Sequence, residues 1–136
     1  MIALFDQDYN KPAPDVTGEK WGTIRDLQKV WESDAVKNLS SKFGPENTLM
    51  LESDEVSVHD CFENALITDR FERNDVWPED MSKARNQIEI LTAIKEDIFK
   101  ILDKCDTDIP AYLNENSKDL SSYLKKARKV TQKDLD

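Results

Sequence analysis

Apolar positions along the chain recur at two spacings, one helical and one strand-like. Ile24, Leu27, Val30 and Trp31 fall at helical intervals and predict a helix over residues 22 to 32. A second, short helical stretch is expected over 33 to 42, with Ser33-Asp34 as its cap. Gly44-Pro45 ends it. Two short apolar runs follow, Thr48-Leu49-Met50-Leu51 and Ala65-Leu66-Ile67-Thr68, each bounded by polar residues as buried strands are. Residues 2 to 5 form a similar run and read as a strand, and residues 54 to 62 read as a helical turn. This alternation of helix, strand, turn and strand predicts a parallel α/β sheet.

The strongest periodic signal spans residues 82 to 104, where Ile88, Leu91, Ile94 or Lys95, Ile98, Ile101 and Leu102 trace one face. A last helix is expected over 117 to 130, with Leu120, Tyr123, Leu124, Ala127 and Val130 as its stripe. Residues 6 to 20 carry Asp6, Asn10, Pro12, Pro14, Asp15 and Gly18, the chemistry of turns. Residues 69 to 81 are charged and irregular, with a break at Trp77-Pro78.

Length and charge narrow the picture. The chain has 136 residues, enough for one domain of ordinary size. It is 38% hydrophobic and 35% charged, with a net charge of −9, which suits a modest core under a heavily charged surface. That charge argues against nucleic-acid binding through a general positive field. The basic run Lys125-Lys126-Ala127-Arg128-Lys129 is a local exception and reads first as the solvated face of the last helix. No apolar run reaches the ~18–20 residues a membrane span needs, and the first residues lack a basic start, so a soluble cytoplasmic or nuclear protein is expected. His59, Cys61 and Cys105 fall short of a zinc ligand set and are expected to be structural.

Several segments resemble one family in their order and spacing. Thr23-Ile24-Arg25-Asp26-Leu27 leads through Val30-Trp31-Glu32 to Asn47-Thr48-Leu49-Met50-Leu51-Glu52-Ser53, and then to Phe62-Glu63-Asn64-Ala65-Leu66-Ile67. This is similar to the second half of the NLI-interacting-factor-like phosphatase domain, the family of the small RNA polymerase II C-terminal-domain phosphatases. That family shows a lysine before an apolar helix, then N-T-L-L-h-D-D-S and P-x-N-A-h, where h is apolar. Asp108-Ile109-Pro110-Ala111-Tyr112-Leu113-Asn114-Glu115-Asn116 resembles its close, and Leu4-Phe5-Asp6-Gln7-Asp8 resembles a strand that follows its second catalytic motif. The resemblance implies a partial haloacid-dehalogenase-like parallel sheet over residues 1–117, with flanking helices, and a helical C-terminal extension over 118–136.

The resemblance also says what is missing. Such enzymes transfer phosphate to the first aspartate of a D-x-D pair, with the second as general acid and base and a magnesium ion neutralising the phosphate. Asp6 and Asp8 have the pair's spacing, yet Arg25 stands only 19 residues after Asp6, far closer than in the family. Arg25 occupies the lysine position, and its wide fork does not copy an ammonium. Glu52, Ser53 and Asp54 fall at or beside the acidic metal pair, and Ser53 is a poor magnesium ligand. No catalytic residue and no metal ligand is assigned. The expectation is a pseudophosphatase without a cofactor, acting as a protein-interaction module. Its partner would complete or cover the sheet, and self-association is one form of this. The alternative is one part of a magnesium-dependent aspartyl-phosphate Ser/Thr phosphatase whose catalytic half lies on another segment.

Overall fold

The computed structural model describes residues 7–12, 23–69, 81–106 and 108–131. The strand expected at residues 2 to 5 lies outside them. The elements are β1 (Asn10–Pro12), β2 (Thr23–Arg25), α1 (Leu27–Glu32), α2 (Asp34–Lys37), β3 (Met50–Glu52), β4 (Ala65–Thr68), α3 (Met81–Lys104), α4 (Ile109–Asn116) and β5 (Leu124–Lys126). Single 3-10 turns lie between several of them.

β4 organises the molecule. Its first three residues, Ala65, Leu66 and Ile67, are buried. Side chains alternate across a strand, so Ala65 and Ile67 enter one apolar cluster and Leu66 enters the other. The first cluster contains Leu27 of α1, Val58, Cys61 and Ala127. The second contains Ile94 and Ile101 of α3, Ile109 and Leu113 of α4, and Leu124 of β5. A strand covered on both faces must be apolar throughout, which explains the unbroken Ala-Leu-Ile run.

β3 pairs with β4 in parallel, with Met50 opposite Ala65 and Glu52 opposite Ile67. Parallel neighbours need a crossover. Residues 53 to 64 supply it as two 3-10 turns, Val56–Val58 and Phe62–Asn64, instead of a helix. β5 pairs antiparallel with the other edge of β4, with Thr68 opposite Leu124 and Leu66 opposite Lys126. The ladder extends one step further, as the Ala127 N–H donates to the Ala65 carbonyl at 3.0 Å. The sheet order is therefore β3-β4-β5, and among the described residues no strand pairs with the outer edge of β3. β1 and β2 form a separate antiparallel ribbon.

The parallel α/β pattern expected around residues 48 to 68 is present, within a small mixed sheet. The helix expected over 82 to 104 is α3. The helical C-terminal extension is corrected: residues 117 to 119 make one 3-10 turn and residues 124 to 126 are β5. Leu120, Leu124 and Ala127 do have helical spacing, but β4 offers an unpaired row of N–H and C=O groups that a strand can satisfy and a helix cannot.

The start of the expected helix over 22 to 32 is also strand, because Thr23–Arg25 pairs with β1 and Asp26 caps the helix from Leu27. α2 is shorter than expected, and the Ser33 hydroxyl donates back to the Val30 carbonyl at 2.7 Å instead of capping it. α4 was not anticipated, although Asp108 at its N-cap and Pro110 in its first turn are ordinary start signals.

Candidate functional site

Arg25 ends β2 and Glu52 ends β3, and the fold sets the two side chains against each other. The Arg25 Nε–H donates to Glu52 Oε2 at 2.9 Å, while its Nη1 donates to Asn10 Oδ1 at 3.4 Å. The second carboxylate oxygen of Glu52, Oε1, accepts the Ser53 backbone N–H at 2.9 Å. Glu52 is thus engaged through both oxygens, and its side chain is only 17% exposed. Asp54 is occupied too. Its Oδ1 accepts the Val56 N–H at 3.0 Å and its Oδ2 accepts the Ser57 hydroxyl at 3.2 Å, which folds the turn after β3.

Arg25, Glu52 and Ser53 are thus joined in one hydrogen-bonded network, and Asp54 is held separately by its own turn. Magnesium requires a near-octahedral set of hard oxygen donors. Here the one anionic side chain at the acidic pair already holds a guanidinium and a backbone amide, and its neighbour Ser53 is neutral. The donor set does not fit the ion.

Beside this network lies a cleft of about 400 Å³, lined in part by Lys11, Arg25, Asp26, Trp31, Asp60 and Cys61. Its cations are balanced. Lys11 is ion-paired with Asp60, whose Oδ1 also lies 2.8 Å from His59 Nδ1. The hydrogen bond from Lys11, helped by His59, holds the Asp60 carboxyl below its usual range and raises the Lys11 ammonium. Burial pushes the Cys61 thiol up to about 11, so it is a poor nucleophile at neutral pH. Cys61 packs in one apolar cluster and Cys105 against the other, so the two thiols lie on opposite sides of the sheet. Among the described residues no group of three or more His, Cys, Asp or Glu side chains could hold a metal ion.

The basic run does not form a helical face. Lys125 and Arg128 approach Glu55 at 3.8 and 3.5 Å, and Lys126 donates to Asn114 of α4. The segment thus folds onto the acidic turn after β3.

The feature that sequence reasoning missed is apolar. α3 buries Ile94 and Ile101 but leaves Ile88, Leu91, Phe99 and Leu102 between 54% and 64% exposed. Leu51 on the outer strand β3 is 45% exposed. Leu51 and Leu102 border a cavity of about 250 Å³ floored by Leu66 and Ile98. The signal was present in the sequence: the apolar residues of α3 are too many for one buried face, and Phe99 lies outside that face.

Among the described residues no helix is long and apolar enough to cross a membrane. No family model, curated protein or solved structure matches the chain.

Proposed function

We propose that the chain is a non-catalytic, phosphatase-like interaction module built on a partial haloacid-dehalogenase-like sheet. The observation that carries this reading is the Arg25–Glu52 pair. The groups that the family resemblance assigns to phosphate and metal neutralise each other, and Asp54 is held by its own turn. Protein recognition then falls to the exposed apolar surface of α3 and to the neighbouring β3 edge. Helix docking and strand addition are ordinary modes for such surfaces.

Turnover of an aryl phosphate with magnesium tests the catalytic half of the proposal. The expected result is no release above the protein-free blank. Robust turnover that disappears in Asp6→Asn overturns it. A photo-crosslinker placed at Leu102 tests the other half. Capture of a protein that is lost in Leu91→Asp/Phe99→Asp and retained in Asn86→Asp, on the opposite side of the helix, supports the surface assignment; capture indifferent to both variants counts against it.

A second reading rests on the outer edge of β3, which ends at Glu52 beside Arg25. A separate chain carrying the aspartate motif could add a strand there, and Glu52 would have to release Arg25 to serve a shared site. Activity appearing only on mixing with such a fragment supports this reading, and absence of rescue rejects it.

A further inference from the structure

The exposed stripe of α3 has an internal symmetry. At about 100° per residue, Ile88, Leu91, Lys95, Phe99 and Leu102 fall within an arc of about 80°. Their separations are three, four, four and three residues, which read the same from either end. Lys95 is the midpoint, so a two-fold axis beside it brings Ile88 against Leu102 and Leu91 against Phe99 of an antiparallel copy. Such self-complementarity is what an interface between identical subunits requires.

One pair of charges beside the stripe obeys the same symmetry. Arg85 and Asp103 share one flank, about 80° from the centre line and at almost equal distances from the midpoint, and Glu96 lies on the same flank beside the midpoint. In the antiparallel arrangement like flanks meet, so Arg85 faces Asp103 of the second copy, while Glu96 meets its own copy with the Lys95 of each chain beside it. Arg85 and Asp103 are both exposed, and neither takes part in an ion pair among the described residues. On the opposite side of the stripe, Ile88 of the second copy lands beside Leu102, at the mouth of the 250 Å³ cavity.

We propose that α3 is a homodimer interface in which two copies pair antiparallel about Lys95. This rests on the interaction reading above and names its partner as a second copy of the chain. The central lysine fits the scheme. A single lysine in an apolar helix seam weakens association while fixing register. Its stem lies in the seam and its ammonium leaves toward solvent. The net charge of −9 per chain opposes association at low ionic strength, so the dimer forms more readily near physiological salt.

Sedimentation equilibrium of the full chain at about 0.15 M salt tests the association. The expected mass rises with concentration from one chain to two. Leu91→Asp/Phe99→Asp abolishes the rise, Arg85→Asp weakens it, and Arg85→Asp/Asp103→Arg restores it. All these positions are exposed, so the melting temperature of the monomer serves as a folding control. Register is read by oxidation in a Cys105→Ser background. Lys95→Cys forms an intermolecular disulfide because the two-fold axis places it against its mate. Ile88→Cys does not, because its mate lies about 21 Å away along the helix, beyond the ~7 Å reach of a disulfide. A chain that stays monomeric, or Ile88→Cys crosslinking as readily as Lys95→Cys, overturns the dimer. A monomer whose stripe still captures another protein overturns the dimer and leaves the interaction reading standing. Phosphatase turnover by an intact dimer does the reverse.

Discussion

Asn64 is a buried polar side chain with a structural task. Its amide donates to the carbonyls of Pro45 at 2.6 Å and Thr48 at 2.7 Å, and so fixes the turn from which β3 departs. Asn64→Ala leaves both acceptors without this donor and should cost about 1–3 kcal/mol. The expected readout is a lower urea midpoint with an unchanged m-value. Cys61 illustrates the other kind of buried group. Its neutral thiol is favoured by burial, so the unfolded chain ionises first as pH rises. Stability should therefore fall as pH climbs from the ordinary thiol value of 9.0 toward about 11. At pH 8 an aromatic disulfide reagent should label half-buried Cys105 well before Cys61, and urea should remove the difference; equal labelling of the native protein contradicts the assigned burial. At this scale the sequence singled out Asn64 and Glu52 by motif position. It did not show what each side chain touches, since Asn64 reaches a turn 16 to 19 residues earlier and Glu52 meets Arg25 27 residues away.

Elements differ in how much of themselves is local. α3 was legible because 24 residues sum many weak propensities and a sustained period. β4 was legible because both its faces are buried and its run is apolar without interruption. β5 was not, because its three residues, Leu-Lys-Lys, become a strand only when the edge of β4 is beside them. Ala127→Pro tests that dependence. It removes the N–H that bonds the Ala65 carbonyl and should destabilise by about 1–3 kcal/mol, with accelerated amide exchange in β4 as the specific signature. Exchange in β4 unchanged from the parent chain would contradict the pairing. Asp97, buried in the middle of α3, accepts the Ser121 N–H at 2.9 Å and holds the turn that leads into β5. Asp97→Ala should therefore weaken protection in β5 as well as lower the thermal midpoint.

In the whole molecule, Lys11 and Asp60 tie the β1–β2 ribbon to the crossover between β3 and β4. The Asp60 carboxyl is depressed, so its contribution is present above the ordinary value of 3.8 and is lost as pH falls through the folded value. The Lys11 ammonium is raised, so its contribution is present below 10.5 and is lost as pH rises through the folded value. The stability difference between the parent and Lys11→Met should be level at neutral pH and should shrink at both extremes; a difference independent of pH contradicts the pair. The sequence by itself determined the long amphipathic helix, the apolar strand β4 and the acidic surface, because each follows from residue type and local period. Only the tertiary structure decided that Arg25 and Glu52 neutralise each other, that the C-terminal segment is a strand, and which apolar residues of α3 stay exposed. Those outcomes depend on groups distant in sequence reaching one place, where an open sheet edge or an unpaired charge selects among local conformations of nearly equal energy.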